Sequence, residues 1–229
     1  MSDVELTKLN TELLARKSVS PIRETADGKK DAVWSTLDSA LITVPYLQAL
    51  VMDGRVFHAR VGSSSTAITL DADWANTDPD ISLDVPAGTT VIPLVVRVVL
   101  DAFGTDDLCE IITLCSSTLA AASAGTKFTS VNYRLRHTRG SACSVYVGPT
   151  VTNSYAGNYF ELSRDTYMHV QTMSAGEAGP PNTFLWTYKK DGAVPLLEGN
   201  ASMATWAVSE AASGYIHYVW AEIPSLPYA

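Results

Sequence analysis

The chain has 229 residues, 46% of them hydrophobic and 17% charged, with a formal net charge of −8. That length accommodates one large domain with a substantial core, and the apolar fraction excludes a disordered chain. The acidic balance argues against a dedicated nucleic-acid coat or a binder of anionic membranes.

Residues 2–16 read as a short amphipathic helix. Ser2-Asp3-Val4-Glu5 fits a capping box, and Val4, Leu6, Leu9, Leu13 and Leu14 form a stripe at helical spacing. Such a helix is marginal alone, so Val4, Leu6, Leu9 and Leu13 are expected to dock it on a neighbour. Residues 17–30 carry Pro21 and Gly28 and read as a polar linker. Residues 1–50 are therefore expected to be an arm, and residues 51–229 a β-domain. Met1-Ser2-Asp3 opens without a secretory leader, which predicts synthesis in a cytoplasm. The longest apolar run is too short to cross a membrane, and Pro93 and Arg97 interrupt it.

From Arg55 onward, strand-like runs alternate with Gly, Ser, Asn and Asp turns. RVFHARVG and TAITL come first, and then an acidic connection from Asp71 to Asp80 with Trp74 in its middle. The stretch Asp84–Ser117 reads as one long hairpin, with Val91–Leu100 and Leu108–Cys115 as its two strands. Alternation puts Ile92, Leu94, Val96, Val98 and Leu100 on a core face. Val91, Val95, Arg97 and Val99 then form a second, semi-apolar face, expected to be covered by a sheet, the arm or another subunit. TSVNYRLRH, SACSVYV, NYFELSR, TYMHVQT, TFLWTYKK, AVPLL, MATWAVS and the closing Gly214–Pro224 continue the pattern. Short strands at this spacing predict an all-β, jelly-roll-like antiparallel β-sandwich with an N-terminal helical arm.

No catalytic or metal motif stands out. His58, His137, His169 and His217 each sit alone, without H-x-H, H-E-x-x-H or C-x-x-C spacing, although His58 and His217 are placed to meet across strands. Cys109, Cys115 and Cys143 lie in strand-like sequence and read as small buried hydrophobes. Cys143 has only His137 nearby as a base. No cofactor is implied. The acids of Asp71–Asp80 read as a solvated or Asx-turn loop, with calcium as the alternative. Trp74, Tyr155 and Tyr159 are the candidates for glycan contact. Lys127, Arg134, Arg136, His137 and Arg139 form the one basic cluster. Arg134 and Arg136 are two apart, so a shared strand face is expected, complementary to an acidic neighbouring subunit.

The stretches DVPAGTTVIPLVVRVVLDAFGTDDLCEIITLCSS, RVFHARVG and GYIHYVWAEIPSLPYA resemble bacteriophage virion proteins of jelly-roll type, both capsid-associated or decoration proteins and single jelly-roll capsid proteins. The resemblance covers residues 55–117 and 214–229. It implies a subunit that associates with itself, often as a trimer, and with other virion proteins. Lys17, Arg23, Lys29 and Lys30 are too sparse for a genome-binding arm, so an auxiliary position on a capsid is the expectation. A carbohydrate-binding module of a phage fibre is the alternative.

Overall fold

The computed structural model describes residues 45–63, 65–71, 74–103, 108–152, 155, 159–168, 183–189, 194–208 and 212–225. Val4, Leu6, Leu9 and Leu13 lie outside the described residues. The chain divides into two compact units, Met1–Gly54 and Arg55–Ala229. In the first, a helix α1 (Tyr46–Met52) starts after Pro45, whose carbonyl accepts from Ala49 N–H at 3.0 Å. It stops where Gly54 takes φ +68°, a conformation a side chain disfavours.

The second unit is a two-sheet sandwich. Its strands are β1 (Val56–Val61), β2 (Ile68–Leu70), β3 (Ile81–Val85), β4 (Thr89–Phe103), β5 (Leu108–Ser116), β6 (Thr126–Phe128) and β7 (Val131–Asn132). They continue with β8 (Ser144–Val147), β9 (Tyr159–Met168), β10 (Thr183–Thr187), β11 (Leu197–Glu198), β12 (Ala201–Val208) and β13 (Ala212–Pro224). One sheet runs β10-β4-β13-β1-β7, with β11 also on β4 and β2 also on β13; the other runs β6-β8-β3-β12-β5-β9. Four pairings are nested: β1 with β13, β3 with β12, β4 with β10, and β5 with β9. First pairs with last and each inner pair follows suit, as when one long antiparallel ribbon is wound round a barrel. That is the jelly roll.

The expected hairpin does not form. β4 pairs with β13, β10 and β11, while β5 pairs with β12 and β9, so the two strands belong to different sheets. A turn between two greasy strands reads the same in sequence whether it closes a hairpin or rounds a corner.

Leu94, Val96, Val98 and Leu100 are buried, as alternation required, whereas Ile92, expected beside them, is only half-buried. Val91 is not on the outer face with Val95, Arg97 and Val99; it is fully buried in the main core. The reason is a β-bulge. Val219 pairs with Val95 and Trp220 with Pro93, so Leu94 is an extra residue and the alternation inverts there. Val91, Val96, Val98 and Leu100 thus join Phe57, Trp186, Met203, Tyr218 and Trp220 between the sheets.

The other sheet has an outer face that the chain itself covers. β12 is buried on both sides: Met203 and Ala207 face the main core, while Ala204 and Trp206 join Ile112, Leu114, Ala120, Val151 and Tyr155 in a second apolar cluster. The long connections around Ala120 and Val151 are the cover. Inside the sandwich the sheets are also tied by a chain of hydroxyls. Thr113 Oγ1 lies 2.8 Å from Thr205 Oγ1, which in turn bonds Tyr218 OH from the opposite sheet.

Candidate functional site

β1, β13, β4 and β10 lie side by side, so their outward residues form rows. One row is Arg60, His217, Arg97 and Leu185; the next is Val131, His58, Val219, Val95 and Thr187. Tyr215, Val99 and Thr183 complete the patch. Arg60 and Arg97 are exposed, and Val95 and Val99 are half-buried between their neighbours. The Arg60 guanidinium lies over the Tyr215 ring, 4.9 Å from its centroid. The His58 ring stands edge-on to both His217 and Tyr133, with centroids 5.4 Å apart in each pair. These three rows hold four basic side chains and no acid.

That distribution is electrostatically costly. Burial pulls the His217 imidazole down to about 4, helped by His58, Arg97 and Arg60 around it. Burial also lowers His58, whose Nδ1 is buried without a hydrogen-bond partner. The imidazoles are therefore neutral at neutral pH and the fixed charge is that of two arginines. The two histidines meet across strands as their positions allowed, but among the described residues no three His, Cys, Asp or Glu side chains gather to hold a metal ion.

The basic cluster sits beside this face. Arg134 and Arg136 do not share a strand face, because β7 ends at Asn132 and the chain turns at once. Asn132 Oδ1 accepts from Arg134 N–H at 2.9 Å, and His137 N–H bonds Arg134 carbonyl at 2.8 Å. The Asx turn breaks the strand. Leu135 at its tip is 84% exposed, with exposed Arg134 and Arg136 on either side. The loop's far end is anchored by Glu222, a buried carboxylate that accepts from Trp220 Nε1–H at 2.9 Å, Ala142 N–H at 3.0 Å and the Ser141 hydroxyl. The same arrangement quiets Cys143: burial and the Glu222 charge push its thiol far up, so it is not an activated nucleophile.

The three expected glycan contacts separate. Tyr155 is 2% exposed, its ring edge-on to Trp206 and its hydroxyl donating to Ser202 Oγ at 2.8 Å, so it is a packing residue. Trp74 folds onto Trp206 at 4.9 Å and keeps 40% of its surface in solvent. Tyr159 is exposed at the start of edge strand β9, beside Phe160 and Leu196. With Ser116, Ser117 and Glu198 these line an open groove of about 620 Å³ where β5, β9, β11 and β12 meet. Phe160 and Leu196 were invisible as site residues because only the pairing of β9 with β5 and of β11 with β4 puts them together.

The acidic connection also has structure. Asp80 is buried, and its carboxylate accepts from Ala207 N–H at 2.6 Å and Asp71 N–H at 2.8 Å. Burial, together with the Asp71 and Asp78 charges, pushes its carboxyl up to about 6 despite those two bonds. Asp71 and Asp78 are exposed.

The fold and surface together define a jelly-roll domain with a basic, aromatic-edged sheet face and a shallow apolar groove. No family model, curated protein or solved structure is significantly similar to the chain.

Proposed function

We propose that this chain is a non-catalytic structural subunit of a bacteriophage particle, self-associating, with a trimer favoured, and packing into or onto the capsid shell. In this reading it is made in the host cytoplasm and ends in the virion, in an auxiliary or decoration position. The observation that carries the self-association is Leu135. A leucine 84% exposed at a loop tip between two arginines contributes nothing to its own core, yet it has the form of an apolar anchor inside a charged rim. Jelly rolls are common among capsid proteins and also among lectins, so the fold is compatible with the particle role by analogy only. Light scattering over a range of concentrations tests it. Wild type is expected to run as a discrete oligomer and Leu135→Glu as a monomer of unchanged circular dichroism. A wild-type monomer at every concentration would sink the reading.

A second reading, a carbohydrate-binding module of a phage fibre, is favoured by the groove, where Tyr159 and Phe160 offer aromatic faces beside Ser116, Ser117 and Glu198. It predicts binding on a glycan array that Tyr159→Ala removes. An array without signal discards it.

A further inference from the structure

Two exposed apolar features of the Arg55–Ala229 unit stand at opposite edges of one sheet. The first is Leu135, at the tip of the loop after β7, with exposed Arg134 and Arg136 on either side. Hydrogen bonds hold that tip in shape. Asn132 Oδ1 accepts from Arg134 N–H at 2.9 Å, Asn132 Nδ2–H donates to the Arg139 carbonyl at 3.2 Å, and His137 N–H donates to the Arg134 carbonyl at 2.8 Å. A knob held in this way gives up little conformational freedom on docking. The second is the groove of about 620 Å³, walled by exposed Tyr159, Phe160 and Leu196. Among the described residues its charged lining residue is Glu198, also exposed.

The topology keeps a chain from filling its own groove. β13 flanks β4 along its whole length, so β11, which pairs with Thr90 and Val91, lies on the other side of β4. β7 closes the opposite edge of the same sheet, beyond β1. Leu135 follows β7, whereas Glu198 belongs to β11 and Leu196 directly precedes it. Two knobs do not suit each other either, because arginines flank both.

We propose that Leu135 of one copy seats in the Tyr159–Phe160–Leu196 groove of a second copy, with its flanking arginines turned to Glu198. The docking rests on the self-associating reading and adds the surface that receives Leu135. Opposite charges rim the two apolar parts, which fixes the register of docking. The groove's volume lies within the range of about 300–1,000 Å³ typical of ligand sites, so it admits a leucine with the stems of its neighbours. Knob and groove are different surfaces, so each copy receives one knob and offers another. The copies close into a ring where the rotation per step allows.

Sedimentation velocity of two variants, separately and mixed, tests the docking. Leu135→Glu removes the knob and Leu196→Arg blocks the groove; both positions are exposed, and circular dichroism checks folding. Phe160→Arg, at another exposed position, takes the place of Leu196→Arg should that variant lose structure. Burying one leucine is worth about tenfold or more in affinity, so each variant alone is expected to associate at least about tenfold more weakly than wild type. In an equimolar mixture the groove of Leu135→Glu meets the knob of Leu196→Arg, so a one-to-one dimer is expected and nothing larger. If wild type associates and either variant associates equally well, the docking is wrong while the self-associating reading stands. Glycan binding that Leu196→Arg removes without weakening association would assign the groove to a sugar instead. If both variants are monomers and their mixture stays monomeric, knob and groove do not meet. A wild-type monomer overturns both the docking and the reading beneath it.

Discussion

Replacing Thr205 by valine tests the hydroxyl chain that crosses the sandwich. The swap keeps the side-chain shape, so little packing is lost, but Thr113 and Tyr218 lose their shared partner. Thr113, Thr205 and Tyr218 are all fully or almost fully buried, and no water replaces the lost bonds cheaply. Each buried hydroxyl left unsatisfied costs about 1–3 kcal/mol, so Thr205→Val, which strands two, is expected to cost about 2–6 kcal/mol. Tyr218→Phe removes one hydroxyl and leaves the Thr113–Thr205 pair intact, at a cost of about 1 kcal/mol. The double variant strands Thr113 alone and is expected to be more stable than Thr205→Val by about 1 kcal/mol or more. Urea unfolding followed by tryptophan fluorescence reads all three, with Trp206 adjacent to the substitution. If the double variant costs as much as the two single changes added together, the hydroxyls do not act as a chain and the reasoning fails.

Two further outcomes follow from close packing and from titration. A Cβ on Gly214 would lie 2.2 Å from the Val99 carbonyl oxygen, backbone against backbone at the second register shift between β13 and β4, so Gly214→Ala is expected to lower the melting temperature severely or abolish soluble expression. An alanine variant that melts like wild type would contradict that approach. The pH dependence has two opposed parts. Asp80 titrates at about 6 when folded against 3.8 unfolded, so between these values the folded chain holds the extra proton. Its contribution is fully present below 3.8 and lost as pH rises through 6, about 3 kcal/mol in all. His217 falls to about 4 from 6.5, so there the unfolded chain holds the extra proton and stability is lost on acidification. Asp80→Asn is therefore expected to steepen the loss of stability between pH 6.5 and 4, and His217→Gln to reduce it. Melting curves across that range decide, and parallel profiles for the two variants would refute the assignment.

What the sequence disclosed depended on how local the determinant is. β1 and β13 were legible because alternation and Gly turns mark them without any partner. The outer face of β4 was legible except at Val91. Val91 looked like the companion of Val95 only because an inserted residue at Leu94 leaves no local mark; the bulge is defined by what β13 does opposite it. Arg134 and Arg136 looked like strand neighbours because nothing but the Asn132 side chain ends β7. Tyr155 looked exposed among Asn, Ser and Gly, while Trp206, far along the chain, buries it. The cationic row was hidden for the same reason. Arg60, Arg97 and His217 sit on three strands, and register alone aligns them.

The position of β13 has a consequence for how the molecule is made. It is the last strand in sequence and yet lies in the middle of its sheet, with β4 on one side and β1 on the other. During synthesis β1 and β4 emerge early but have no strand to join them until Pro224 has cleared the ribosome. The other sheet also waits, because β12 separates β3 from β5. Neither half of the sandwich is therefore complete until β12 and β13 are available, and valine-rich strands stay unpaired until then. A stop codon before β13 would remove the strand that joins β1 to β4 and leave two long aggregation-prone edges, a heavier loss than trimming a peripheral strand such as β6.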